Sequence, residues 1–196
     1  MLVYVATSRP VGARCIEWAR GHLPKACELT DHPEESDVFI SVMYDTLVDE
    51  RFIHGRRCYN FHPGILPQYR GSGAFSWAII NGDRETGVTL HELDVDIDHG
   101  PIIAWHSFPV HPTDTAESLF NTAMEVMEGM FKGWFDRLLD GRAVGQPQDE
   151  KQARTYYRRD LQKARDLTRF VRASAFQDKP PAYYLDSDGN EHEVLW

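Results

Sequence analysis

Cysteine is scarce in this chain. Cys15, Cys27 and Cys58 are odd in number and scattered, with no Cys-x-x-Cys spacing, which argues against a disulfide framework and fits a reducing, cytoplasmic setting. Met1 opens no charged leader with an apolar core behind it, and no apolar run approaches the ~20 residues of a membrane helix, so the expectation is a soluble protein without membrane contact. A basic surplus is also missing. Net charge is -9 and the sequence pI is near 5.4, which leaves no broad cationic face for nucleic acid, since neutralising phosphates takes clustered Lys and Arg. There is no Gly-x-Gly-x-x-Gly fingerprint, no His-x-x-x-His or His-x-x-Glu-His metal run, no internal repeat and no low-complexity tract.

What is present suffices for one buried core: 196 residues, 42% of them hydrophobic. Leu2 to Ala6 reads as a strand, Gly12 to Leu23 as a helix, Ala26 to Leu29 as a second short strand and Val38 to Val42 as a buried strand. Leu47 to Ile53 reads as a short helix, Cys58 to Phe61 as a strand and Ala74 to Ile80 as a helix. Gly87 to Leu93 and Pro101 to Phe108 read as paired strands. Behind the cap candidates Thr113 to Thr115, apolar residues from Ala116 to Leu138 recur every three or four positions, a long core helix. Gln146 to Gln152 reads as a linker, Leu161 to Ala175 as a helix, and Tyr183 to Leu185 with Glu191 to Leu195 as a hairpin around Asp186 to Asn190. Strands alternating with helices imply an α/β fold, a Rossmann-like open, mostly parallel twisted sheet flanked by helices. The expected organisation is a catalytic domain over 1–147 and a small helix-hairpin extension over 148–196.

The densest chemistry lies in Asn60 to Gly71, NFHPGILPQYRG, and in DIDHGPII around Asp98. An amide can donate to a developing oxyanion, an imidazole titrates near neutrality, and a carboxylate can orient the ring and stabilise its charged form. Moving an acyl group onto an amine needs that trio. Alternation along a strand puts Asn60 and His62 on one side and Phe61 on the other, and the carboxyl end of such a strand is where open α/β sheets bind ligands.

Ser36 to Phe135 resembles the folate-dependent formyltransferase family, which includes glycinamide ribonucleotide, methionyl-tRNA and sugar-nucleotide amine formyltransferases. The family's Asn-x-His falls on Asn60 and His62, and its Leu-Pro-x-x-Arg-Gly on Leu66, Pro67, Arg70 and Gly71. Its Asn-Gly and Gly-Val-Thr run falls on Asn81, Gly82, Gly87, Val88 and Thr89, and its Asp-x-Gly on Asp98 and Gly100. The resemblance implies 10-formyltetrahydrofolate as donor, its pterin lying against Met43, Tyr44 and Leu47 and against Asp94, Val95, Asp96 and Ile97. Asn60 and protonated His62 would hydrogen-bond the oxyanion, and Asp98 would hold His62 charged and relay the proton. Substrate contacts are expected from Pro63, Gly64, Arg70 and His91, the last read equally well as a ring bonded to neighbouring backbone. The tail around Arg154 to Arg159 is similar to those of sugar-nucleotide amine formyltransferases, so the expected partner is a small nucleotide-linked amine, with a homodimer as the candidate assembly. Family members place more chain before the Asn-x-His strand, so the sheet is expected to be shortened at its amino-terminal end.

Other chemistries are weaker. Glycinamide ribonucleotide as acceptor, a non-catalytic folate-binding module and a formyl hydrolase remain as alternatives. His62, His91, Asp98 and His99 supply metal-ligand types without metal-ligand spacing, so no metal is expected. Asp186, Asp188 and Asn190 have their glycine at the fourth position where a calcium loop needs it at the sixth. The basic concentration from Lys151 to Arg172 reads as a solvated face interleaved with Asp160 and Asp166, and Arg70 or Arg158 is the candidate grip for a substrate phosphate.

Overall fold

The computed structural model describes residues 1–163, 166–176, 183–185 and 191–193. It begins with β1 (Leu2–Ala6), α1 (Pro10–Arg20), β2 (Glu28–Leu29), β3 (Val38–Val42), α2 (Glu50–Ile53) and β4 (Arg57–His62). The middle is β5 (Arg70–Gly71), α3 (Ala74–Asn81), β6 (Glu85–Glu92), β7 (Ile102–Pro109) and α4 (Ala116–Leu139). The last part holds β8 (Thr155–Tyr156), a 3-10 segment Arg158–Lys163, α5 (Leu167–Ser174), β9 (Tyr183–Leu185) and β10 (Glu191–Glu193).

Six strands form one sheet in the order β2-β1-β3-β4-β6-β7. The first four run parallel, β6 runs antiparallel to β4, and β7 runs antiparallel to β6. β2 and β3 leave β1 on opposite sides, so the segments after β1 and β3 part at a topological switch, the place where open α/β sheets hold ligands. β3 is buried at every position, as expected of a parallel strand covered on both faces. α1 starts on Pro10, whose fixed φ suits the first helical position. α4 is set by its cap: Thr115 Oγ1 accepts from Ser118 N at 3.0 Å while Thr115 N donates to Ser118 Oγ at 3.0 Å. The apolar stripe of α4 then packs Met127, Phe131, Phe135 and Leu138, all fully buried, against the sheet and α1. Phe61 meets Phe131 there at 5.9 Å between ring centroids.

The structure corrects several sequence expectations. α2 covers only Glu50–Ile53, because Asp49 caps it by accepting from Arg51 N and thereby fixes its start. In place of one helix over Leu161 to Ala175 there are a 3-10 segment and an eight-residue helix, α5, capped by Asp166. The motif loop carries a two-residue strand, β5, which pairs in parallel with β8. Gln146 to Gln152 does not hang as a linker, since Ile102 and Gln146 exchange backbone hydrogen bonds at 2.8 Å. β9 and β10 pair as the expected hairpin; its turn, Asp186 to Asn190, and Leu195 lie outside the described residues.

Candidate active site

Asn60 and His62 leave β4 toward a cleft of about 610 Å³, within the usual range for small-molecule sites. Asp98 reaches the same cleft from the loop between β6 and β7. Its Oδ1 lies 3.3 Å from His62 Nδ1, and its Oδ2 accepts from Gly71 N at 2.9 Å. His62 is 3% exposed and its Nε2 donates to the Tyr69 carbonyl at 2.7 Å. Burial disfavours a charged ring, yet the Asp98 charge and hydrogen bond, with the Tyr69 carbonyl, outweigh it and raise the His62 pKa above 6.5. Burial likewise pushes the Asp98 carboxyl up, but the His62 charge and hydrogen bond, with the Gly71 amide, hold it down at about 2. Both ring nitrogens thus face oxygen acceptors, the Tyr69 carbonyl and the Asp98 carboxylate, an arrangement that favours the imidazolium paired with the carboxylate.

The amide of Asn60 is oriented by His91. The Glu92 carbonyl can only accept, so His91 Nδ1, 2.7 Å away, carries the proton. Burial lowers the His91 pKa to about 4, so the ring is neutral and Nε2 is left as an acceptor. Asn60 must therefore turn its NH2 toward that nitrogen, 3.1 Å away. Its second amide proton remains for the cleft. The 3.7 Å approach of His91 Nε2 to Asp98 Oδ1 is no ion pair, because the ring is uncharged.

Asp98 sits at φ 53°, a left-handed conformation that costs a non-glycine residue ~1 kcal/mol or more. Gln148 holds it there. Its Nε2 donates to the Asp98 and Gly100 carbonyls, both at 2.8 Å, and its Oε1 accepts from Arg70 Nε at 3.0 Å and Nη2 at 2.8 Å. Arg70 also grips both carboxylate oxygens of Glu150, at 2.6 and 3.0 Å. Gly71 is equally constrained: a Cβ there would lie 2.2 Å from the Tyr156 carbonyl oxygen.

Of the residues singled out in the sequence, Asn60, His62, Asp98, Met43, Tyr44, Leu47, Ile97 and Pro63 line the cleft. Leu47 and Ile97 are 79% and 48% exposed, apolar side chains held open to solvent beside it. Gly64, Arg70, His91, Asp94, Val95 and Asp96 are not among its lining residues. His91 is 1% exposed with both nitrogens engaged, and Arg70 is 8% exposed and neutralised by Glu150. Gly64 packs under the His62 ring, where a Cβ would come within 2.9 Å of His62 Nε2. Asp94 Oδ2 instead accepts from His99 Nδ1 at 2.5 Å, so His99 is partly covered rather than exposed. Sequence reasoning missed Gln148 and the aromatic wall of Phe75, Phe120 and Phe176. Phe75 and Phe120 do fall on helices already visible as periodic segments. Among the described residues, no group of three or more His, Cys, Asp or Glu is placed to hold a metal, and no helix is long and apolar enough to cross a membrane.

The chain is similar to known proteins in sequence and in fold. The GDP-perosamine N-formyltransferase of Brucella melitensis is 32% identical over 172 residues, 82% of this chain and 64% of that protein. The chain thus spans less than two thirds of that relative's length. Among solved structures, a 4-N formyltransferase from Francisella tularensis superposes with a TM-score of 0.88 at 18% identity, covering 100% of this chain and 96% of that one. An N-formyltransferase from Helicobacter canadensis, in complex with folinic acid and dTDP-3-aminofucose, superposes with a TM-score of 0.75 at 20% identity, over 88% of this chain and 79% of that one. Both share the fold. Residues 19–131, more than half of the sequence, match the family model for formyl transferases, and the chain belongs to that family.

Proposed function

We propose that this protein transfers the formyl group of 10-formyltetrahydrofolate to the primary amine of a nucleotide-linked amino sugar. The observation that carries the reading is the convergence of the Asn60 amide and the Asp98 carboxylate on one cleft, with the His62 imidazolium locked behind the carboxylate. The Brucella relative's name and the ligands of the Helicobacter structure support the acceptor and donor classes. The apolar side chains of Met43, Leu47 and Ile97 suit one face of a flat pterin ring.

The amine nitrogen attacks the formyl carbon, and the carbonyl electrons become an oxyanion. Asn60 donates its free amide proton to that oxygen. As the site stands, both His62 nitrogens are engaged, so the ring acts on the oxyanion through its positive charge and keeps Asp98 ionised. Asp98 accepts a proton from the attacking nitrogen and returns it to the departing folate nitrogen as the carbon–nitrogen bond breaks. The products are a formamide and tetrahydrofolate. Free Cys15, Cys27 and Cys58 are consistent with reaction in the cytoplasm.

The test offers GDP- and dTDP-linked amino sugars with 10-formyltetrahydrofolate, follows tetrahydrofolate release and identifies the formamide by mass spectrometry. Release that depends on the amine is expected. Folate binding without turnover, or formate released without amine, would overturn the assignment.

A further inference from the structure

Arg70 and Arg158 are the two arginines that the sequence offers to a substrate phosphate, and their surroundings differ. Arg70 faces away from the cleft, its guanidinium bound to both oxygens of Glu150 and to Gln148. Arg158 lines the cleft, half-buried, and among the described residues no carboxylate pairs with it. Its guanidinium carbon lies 5.4 Å from the centroid of the Phe176 ring, a contact that holds the side chain without neutralising it. Burial lowers its pKa below the usual arginine value, as expected of a partly desolvated cation. Its backbone N donates to Ser72 Oγ at 3.1 Å, and this ties the 3-10 segment to the loop ahead of α3 while the Ser72 hydroxyl, itself lining the cleft, keeps its own proton.

A cation in a cleft, with no carboxylate against it among the described residues, is set for an anion brought by the ligand. The flanking wall fits the rest of such a ligand, since Phe120 stacks edge-on to Phe176 at 5.0 Å and Phe75 lies 6.5 Å from Phe120. We infer that Arg158, with the Ser72 hydroxyl beside it, anchors the diphosphate of the nucleotide-linked acceptor. The inference rests on the proposed function for the identity of the ligand. The anchor sets acceptor affinity and leaves the chemical step to Asn60, His62 and Asp98.

GDP and inorganic pyrophosphate, titrated calorimetrically into the protein and into Arg158→Gln and Arg158→Lys, test it. One charge-assisted hydrogen bond changes affinity by roughly 10–100-fold. Arg158→Gln should therefore raise the Kd for both probes, and the KM for the nucleotide-linked amine, by about that factor. Its kcat and its KM for 10-formyltetrahydrofolate should stay close to those of the parent, so that the loss falls on acceptor KM, and Arg158→Lys should recover part of the affinity. Equal Kd values in parent and Arg158→Gln, no diphosphate binding by the parent, or a loss confined to kcat would each overturn the anchor. A parent that binds GDP through Arg158 yet formylates no amine would leave the anchor standing and remove the proposed reaction. Melting curves for the two variants separate lost binding from lost fold, and Arg158→Lys carries the test if Arg158→Gln unfolds.

Discussion

Asp98→Asn is the substitution that most directly probes the site. In the folded protein the carboxyl is held at about 2 against a usual 3.8, although burial works the other way. That difference corresponds to roughly 2–3 kcal/mol of stability at neutral pH. An amide cannot replace the carboxylate at both contacts. With its oxygen toward His62, its NH2 faces the Gly71 N–H, donor against donor; turned over, it faces His62 in the same conflict. Leaving one buried donor unsatisfied costs ~1–3 kcal/mol. The total expected loss is a few kcal/mol, and turnover should fall by ~10²–10⁴ because the proton acceptor is gone. The pH dependence follows from the two partners. The Asp98 contribution is present above its unfolded pKa of 3.8 and disappears as pH falls through about 2. The His62 contribution is complete below 6.5 and disappears as pH rises through its raised pKa. Urea unfolding of parent and variant across pH should therefore give the largest difference between about pH 4 and 6.5, shrinking on both sides. A variant within ~0.5 kcal/mol of the parent in that window, or one keeping more than a tenth of its turnover, would refute the reasoning.

Three further substitutions carry expected outcomes. His91→Phe leaves Asn60 without its acceptor, so kcat should drop ~10–100-fold while the KM for folate holds; parent-like kcat would mean that Asn60 needs no orienting ring. The parent should also lose up to ~3 kcal/mol progressively as pH falls from 6.5 to about 4, because His91 stays neutral when folded, and His91→Phe should lack that slope in urea titrations. Gln148→Leu frees the Asp98 loop from Arg70, so kcat should fall ~10-fold and the acid limb of the pH–rate profile should move up, with Gln148→Glu failing to rescue; an unchanged profile would make Gln148 a packing residue only. Phe131→Ala, in the fully buried stripe of α4, should cost ~3–5 kcal/mol in urea unfolding, and a loss below ~1 kcal/mol would contradict the close packing described.

What the sequence made visible was whatever has a local period or a local partner. β4 alternates, so Asn60 and His62 could be put on one side before any coordinates, and the three- and four-residue steps from Ala116 to Leu138 announced α4. β5 and β8 could not be found in that way, because two residues carry no period and their pairing joins Arg70 to Thr155 across the chain. Gln148 was hidden for the same reason. It stands in a polar run that reads as a linker, and its meaning comes from carbonyls 48 and 50 positions away. Arg70 and Arg158 are indistinguishable as letters. Only Glu150, 80 positions beyond Arg70, separates a neutralised guanidinium from an available one. His91 was balanced between two roles until the neighbouring Glu92 carbonyl fixed its tautomer.

The pairing of β5 with β8 also sets a timetable. The loop that presents Gly71 to Asp98 is pinned by residues near position 155, and Tyr157, Arg158 and Phe176 complete the wall after them. During synthesis the strands through β7 emerge ahead of the tail, but the cleft has to wait for β8 and the segment through Phe176 to arrive. Closing so wide a loop draws on chain entropy that grows only slowly with length, so the delay carries little thermodynamic penalty. A nascent or clipped chain ending before β8 would lack both the strand that pins Gly71 and the wall residues behind it.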